Sequence, residues 1–595
     1  DDTFPVKINP FEFTISGDEL TNWKKKYKIA EEATAEEAFY KFKNKYEITN
    51  DNVEEIRKII SIRYIITTTG YSATKSITIA TNVNEEVVAQ ISERNSDFPG
   101  VSISTNAART YLAGNLAAHV IGYTGKIKED EYNANKDTYN IDDIIGKTGI
   151  EYVFEKYLKG TDGEKQVEMS VDGTITGETV AKNAIAGSDV VLTIDSNLQK
   201  VTQDALENCI NKIRSGGFAQ TYDAQGGAAV VMNVNTGEVL ATASYPTFEP
   251  QWFVGGISQE NWAYLRDDSR HPQLNKTIQS TYEPGSTFKM VTAIAGLETG
   301  AITTKERIND TGVYRKYNME WKCWYYTSYH RGHGYQNVTQ ALQHSCNYFF
   351  YETGDRMGID NLSKYALHFG LGKKTGIELP NEKEGAVASR ETYAKLRNGG
   401  RIGPGDVLNA SIGQGDNNFT PMQIAKYISS IANGGTVVKP TIVKSILNSD
   451  GTEVAKDEII QYTNEKLGYS DTDDGITISQ ESVNVAKEGM RMAASEAGGT
   501  AYNIFKGFNQ EVAGKTGSAE AGKDKNGNDL VNAWFVCFAP YEKPEVAVVV
   551  MIENGGHGNY AAEVARDVLT QYFGMNESTE INESMTATPF VEQIR

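Results

Sequence analysis

The strongest constraint on the fold comes from two pairs of apolar segments at opposite ends of the second half of the chain. The first, "GGAAVVMNVNTGEVLATASYP" (residues 226–246), is two β-rich runs joined at Asn-Thr-Gly, a hairpin signal. The second, "VNAWFVCFAPYEKPEVAVVVMIENGG" (531–556), is another such pair. The sequence between them is rich in helical periodicity, so one antiparallel sheet closed by distant segments is expected, flanked by helices. This is an α+β domain. With 595 residues the chain exceeds one core, and further domains are expected. The expected organisation is 1–186 as an extended mixed α/β support domain, 187–574 as the domain carrying the sheet, and 575–595 as a flexible polar tail. Within the first, residues 31–60 read as charged surface helix and residues 64–83, rich in Thr and Ile, as strand.

Charge removes one class of partner. The formal charge is −20, from 78 acidic and 58 basic residues, which argues against nucleic acid as a ligand. No apolar run reaches the roughly 18 to 20 residues of a membrane span. The chain begins at Asp1, and an anchor or signal segment upstream is expected. Cys209 falls on the apolar face of a helical pattern and Cys537 in an apolar strand, both read as core thiols.

The chemistry-bearing residues lie between the two strand pairs. In "YEPGSTFKMVTAIAGLETG" Pro284 and Gly285 break the chain and a helical pattern follows, so Ser286 starts a helix and Lys289 sits one turn on. A serine hydroxyl needs a base to become nucleophilic, and a buried lysine can serve once its pKa is depressed. A second match to Ser-x-x-Lys, Ser72 to Lys75, has no helix start. Ser345-Cys346-Asn347 offers a hydroxyl and an amide, although Ser-x-Asn also occurs at Ser104 and Ser482. Lys-Thr-Gly occurs three times: at 147–149, 374–376 and 515–517. Only the last is followed by a hydroxyl residue, Ser518, and then by a strand pair; Ile150 and Ile377 follow the others, which read as Gly-marked turns.

The ordered set Ser286-x-x-Lys289, Ser345-x-Asn347, Lys515-Thr516-Gly517 resembles the signature of penicillin-binding proteins and serine β-lactamases. With "LTIDSNLQ", "SYPTFEP", "SIGQGDNNFTPMQIA", "FPGVSI", "AAHVIGYTG" and "GKTGIEYVFEKYLKG", the chain is similar to class B, monofunctional penicillin-binding proteins over roughly residues 95–570. It lacks the Arg-Gly-x-Ile-x-Asp-Arg opening motif of that family. The resemblance implies a D,D-transpeptidase that crosslinks peptidoglycan stem peptides outside the cytoplasmic membrane and is acylated by β-lactams. It assigns Ser286 as nucleophile, Lys289 as base, Ser345 as proton relay and Asn347 as a hold on the substrate amide. It assigns Lys515, Thr516, Gly517 and Ser518 to the substrate carboxylate and the oxyanion hole. It also implies a membrane glycosyltransferase and a cell-wall synthesis complex as partners. D,D-carboxypeptidase, serine β-lactamase and a non-catalytic β-lactam sensor stay open; the "ELPNE" stretch lacks the spacing of a deacylating glutamate.

Asp310, Cys323, His330, His333 and Cys346 fall within 37 residues, a set rich in zinc-ligand types but matching no short finger spacing. A Cys323–Cys346 disulfide and two unrelated thiols are the alternatives. Elongation-type relatives, similar to penicillin-binding protein 2, carry a zinc site beside the active site. The resemblance implies Asp310, His333 and Cys346 as three of its ligands, with Cys323 standing where the relatives have a second carboxylate and His330 as the alternative fourth, in a structural role; "GHGYQNVTQAL" leans the same way towards elongation.

Overall fold

The structure is a computed structural model. It describes residues 3–575 apart from 70–76, 81–82, 95–96, 99, 104–107, 142, 170–174 and 471–473. Residues 576–595 of the expected tail, and the Ser72–Lys75 and Ser104 matches, lie outside the described residues. Two compact units form, one of Asp1–Asn106 with Lys165–Val180, the other of Ala107–Glu164 with Ala181–Arg595.

In the smaller unit a hairpin (Val6–Ile8 with Phe11–Phe13) packs with helices Gly17–Lys26, Ala35–Lys45 and Val53–Thr68. Thr34 and Glu37 form a reciprocal capping box that starts the second helix. Where the strand expected over residues 64–83 begins, Tyr64 to Thr68 instead continue the third helix; residues 70–76 and 81–82 of that stretch lie outside the described residues. Ile56, Ile60 and Tyr64 recur at helical spacing and bury against Phe4, Trp23 and Phe42, with the Trp23 indole N–H donating to Tyr64 Oη at 2.9 Å. Packing of that face overrides the strand preference of β-branched residues.

The larger unit is built on a five-stranded antiparallel sheet. Its strands are β1 (Gly227–Asn233), β2 (Val239–Tyr245), β3 (Ala513–Lys523), β4 (Asp529–Ala539) and β5 (Val546–Ile552), in the order β3-β4-β5-β1-β2. The hairpin at Asn-Thr-Gly and the late strand pair thus meet as expected, through β5 against β1. The near-continuous apolar runs follow from helices covering both faces. Period-two alternation sends Trp534, Val536 and Phe538 into one core and Phe535 and Cys537 into the other. On the second face lie α1 (Ser196–Arg214) and α8 (Gly558–Met575). On the first lie α2 (Lys289–Glu298), α4 (Val338–Gln343), α5 (Asn347–Met357) and α6 (Pro421–Ala432). The short helix α3 (Trp324–Tyr329) and the longer α7 (Gln480–Ser495) complete the set that bears on the site. Cys209 and Cys537 are buried free thiols, as the apolar pattern around each predicts. No helix among the described residues is long and apolar enough to cross a membrane.

Candidate active site

Ser286 lies in a single 3₁₀ turn, Gly285–Phe288, that runs directly into α2 at Lys289. Gly285 has φ +53°, a left-handed conformation that glycine adopts without strain, and it lets the chain turn sharply after Pro284. The turn is clamped on several sides. Trp534 Nε1 donates to Glu283 O at 3.0 Å, Gly285 N–H to Gly413 O at 2.9 Å, and Tyr427 Oη to Thr287 O at 2.9 Å. Gly285 and Thr287 are buried while Ser286 between them stays half-buried.

Lys515-Thr516-Gly517-Ser518 sits on β3, the edge strand, so one row of its backbone groups lies open to an extended peptide. Gly517 is required by close approach. A Cβ there would lie 2.9 Å from Thr287 Cγ2 and 3.1 Å from both Pro284 O and Trp534 Cβ. The Ser286 turn rests on this glycine, and a Cβ on Gly285 would lie 3.0 Å from Ser518 O. Gly517→Val is therefore expected to destabilise the protein by about 1–3 kcal/mol through overpacking, read as a lower melting temperature together with lost acylation.

Lys289 is fully buried and its ammonium makes three hydrogen bonds into the second motif: Ser345 O at 2.8 Å, Ser345 Oγ at 3.2 Å and Asn347 Oδ1 at 2.6 Å. Desolvation lowers its pKa to about 8, with the thiols Cys323 and Cys346 pulling the other way. Lys515 is likewise buried, its pKa depressed by desolvation and then by the charge of Lys289; its Nζ donates to Thr516 O at 3.0 Å. Two buried lysines in one pocket leave it short of negative charge, a setting for a carboxylate or a developing oxyanion. Ser345 and Asn347 are carried by the tight link between α4 and α5, where Ser345 takes φ +54° and Cys346 caps α5.

Neither of the other two Lys-Thr-Gly copies lies on a strand: the first leads into a short helix and the second lies in a loop. Lys147 pairs with Glu131, Thr148 precedes a short helix, and Gly149 has φ +61°. At the 374 copy the Glu382 carboxylate accepts from Thr375 N–H at 2.7 Å and Gly376 N–H at 3.2 Å. The "ELPNE" glutamates are thereby structural: Glu378 accepts from Ile442 N–H and Thr441 Oγ, each at 2.9 Å. Ser482 is part of α7.

Behind Ser345, the ligand atoms of Asp310, Cys323, His333 and Cys346 lie within 4.8 Å of one another. Antiparallel pairing of Ile308–Asp310 with Gly334–Gln336 brings Asp310 beside His333, whose Nδ1 is 2.7 Å from Asp310 Oδ2. Gly312 N–H fixes the other carboxylate oxygen at 2.6 Å. Cys346 S–H donates to Asp310 Oδ2 at 3.3 Å, and Cys323 Sγ lies 3.6 Å from His333 Nδ1. Both cysteines are fully buried free thiols. The Cys346 hydrogen bond lowers the Cys323 pKa, and burial pushes that of Cys346 up. Burial opposes the Asp310 charge, yet the hydrogen bonds from His333 and backbone N–H groups hold its pKa low. Two sulfurs, one imidazole and one carboxylate around a buried centre fit a tetrahedral zinc site, whose cation would neutralise acids otherwise buried together. His330 stands outside this set, exposed at the end of α3 with φ +55°.

Two neighbours of the site carry no motif. Thr500 Oγ1 lies 2.8 Å from Thr516 Oγ1, and Trp324 Nε1 donates to the carbonyls of His344 and Ser345. Thr500 follows a Gly-Gly pair that reads as a turn, and Trp324 one of many aromatics in its segment, so neither stands out in the sequence.

A serine at a helix entry, a desolvated lysine one turn on and an edge strand packed against the turn mark the chain as a serine-type acyltransferase. Comparison with known proteins places it further. Residues 227–570 match the penicillin binding protein transpeptidase domain, and residues 13–192 the penicillin-binding protein dimerisation domain. The chain belongs to the penicillin-binding protein transpeptidase family. It is 33% identical over 510 residues to peptidoglycan D,D-transpeptidase MrdA of Acinetobacter baumannii, covering 83% of this chain and 70% of that one. Among solved structures it resembles Pseudomonas aeruginosa PBP2 in complex with WCK 5153 (TM-score 0.63, 31% identity, covering 79% of this chain and 92% of that one). It also resembles a chain of a peptidoglycan synthase complex that coordinates polymerization and crosslinking (TM-score 0.69, 28% identity, covering 87% and 86%).

Proposed function

We propose that this protein is a peptidoglycan D,D-transpeptidase in which Ser286 is the nucleophile and Lys289 its base. The observation that carries the roles is the fully buried Lys289, one turn from Ser286, with lowered basicity and its ammonium bound to Ser345 and Asn347. Neutral Lys289 takes the Ser286 proton as Oγ attacks the carbonyl of the D-Ala-D-Ala bond. The backbone N–H groups of Ser286 and Ser518 hold the oxyanion, and Lys515, Thr516 and Ser518 hold the terminal carboxylate. Ser345 Oγ relays the proton to the leaving D-Ala amine, and Asn347 holds the substrate amide. The amine of a neighbouring stem then attacks the Ser286 ester, releasing Oγ and forming the crosslink. β-Lactams acylate Ser286 by the first half of this sequence.

The test is product analysis on a pentapeptide donor with an acceptor stem. Crosslinked dimer with one equivalent of D-Ala supports the reading. Free tetrapeptide alone marks a carboxypeptidase, rapid penicillin hydrolysis a β-lactamase, and a stable adduct with no peptide product a sensor.

Asp310, Cys323, His333 and Cys346 would hold a zinc ion, which supplies charge neutralisation and a brace for the Ser345–Asn347 link rather than acyl-transfer chemistry. Purified protein is expected to carry about one zinc per chain, measured by elemental analysis, and Cys346→Ser to lose it with a lower melting temperature. Protein with no metal and a Cys323–Cys346 disulfide would contradict the site. The likeness to a component of a polymerising and crosslinking complex supports a place beside a membrane glycosyltransferase. Co-purification of such a glycosyltransferase with the full-length protein tests that placement.

A further inference from the structure

We infer that Trp324 is a positioning residue for acylation: its indole N–H holds the Ser345 carbonyl that anchors Lys289. The inference rests on the reading of Ser286 and Lys289 as nucleophile and base. Trp324 Nε1 lies 3.1 Å from both His344 O and Ser345 O, so one N–H bridges two successive carbonyls. Ser345 O is at the same time the acceptor for Lys289 Nζ at 2.8 Å. The carbonyl is thus gripped by Lys289 and by an indole from α3, a separate element.

The grip matters because of the backbone it holds. Ser345 is a non-glycine residue at φ +54°, a left-handed conformation that persists only where surrounding contacts enforce it. His344 is the C-cap residue of α4, whose carbonyl has no partner within the helix. The Trp324 N–H satisfies that carbonyl and the next one together, tying the end of α4 to the strained residue. If the Ser345 peptide relaxed, both its carbonyl and its Oγ would shift, and Lys289 would lose two of its three partners.

The indole itself is held in place. Its ring packs edge-on against Tyr325 (centroids 5.5 Å) and His333 (5.8 Å), while Cys323, one residue before it, is fully buried. The segment that carries Asp310, Cys323 and His333 therefore reaches the acylation machinery through Trp324 as well as through Cys346. Trp324 is 37% exposed, more than a residue serving the core alone requires.

The test separates the N–H from the ring. In one variant of the full chain Trp324 is replaced by β-(3-benzothienyl)alanine, which keeps the bicyclic shape and puts sulfur in place of N–H; the second is Trp324→Phe. Acylation by a chromogenic cephalosporin is followed by stopped flow, resolving the non-covalent dissociation constant from the acylation rate constant k2. Losing one shared hydrogen bond at the site is expected to lower k2 about 5- to 10-fold in the isostere, and at least as much in Trp324→Phe. The dissociation constant, zinc content and melting temperature of the isostere should stay those of the parent. An isostere with parental k2, a loss confined to the dissociation constant, or a loss that tracks metal content or unfolding would overturn the inference. If the parent chain forms no adduct on Ser286, the underlying acyl-transfer reading fails, a result distinct from an isostere that acylates normally.

Discussion

Ser286→Ala is expected to form no covalent adduct with a β-lactam on intact-mass measurement and no crosslinked product, a loss of at least about 10⁴-fold. The size of the effect follows from how few hydroxyls could substitute. Thr287 Oγ is buried and donates to Pro284 O at 2.8 Å, which removes it from the cleft. Ser345 Oγ lies within reach of Lys289 but on the link between α4 and α5, whereas Ser286 is the residue whose turn packs on β3. The half-buried Ser286 side chain caps no helix, so the variant should melt with the parent, within about 0.5 kcal/mol. An adduct that persists in Ser286→Ala at the parental rate would remove Ser286 as the nucleophile.

The second large effect belongs to Lys289. Lys289→Met, near in shape and without the amine, should lower k2 by about 10²- to 10⁴-fold, the range of a lost general base. The non-covalent affinity for the β-lactam should change far less, because Lys289 points into the Ser345–Asn347 link. The parent supplies a companion measurement. Desolvation disfavours the ammonium and lowers its pKa to about 8, so the neutral base grows as pH rises through that value. The neutral fraction is about one tenth at pH 7 and about nine tenths at pH 9, so k2 should rise roughly tenfold over that interval. A k2 that stays level from pH 6.5 to 9 would show that Lys289 is not the titrating base.

Much of the candidate site was legible because each motif combines side-chain chemistry with a backbone signal. Pro284-Gly285 marks the turn, the apolar period after it marks α2, and the strand pair after Ser518 marks β3. The same signals separated the 515 copy of Lys-Thr-Gly from those at 147 and 374, which the structure places at a helix start beside Glu131 and in a loop held by Glu382. At Tyr64–Thr68 helix replaces the expected strand because β-branched composition reports a weak local preference, and packing of Ile56, Ile60 and Tyr64 onto one core is stronger. Thr500 and Trp324 escaped notice because a hydrogen bond to a neighbouring chain segment leaves no trace in local spacing.

By itself, then, the sequence determined which residues can react and which elements bear them, since nucleophile, base, turn and strand signals are all local. The tertiary structure alone decided that Lys289 is dehydrated, that Gly517 must lack a side chain, and that Asp310, Cys323, His333 and Cys346 converge while His330 does not. Desolvation, close approach and convergence depend on segments distant in the chain, and only the closed sheet and its covering helices bring those segments into contact.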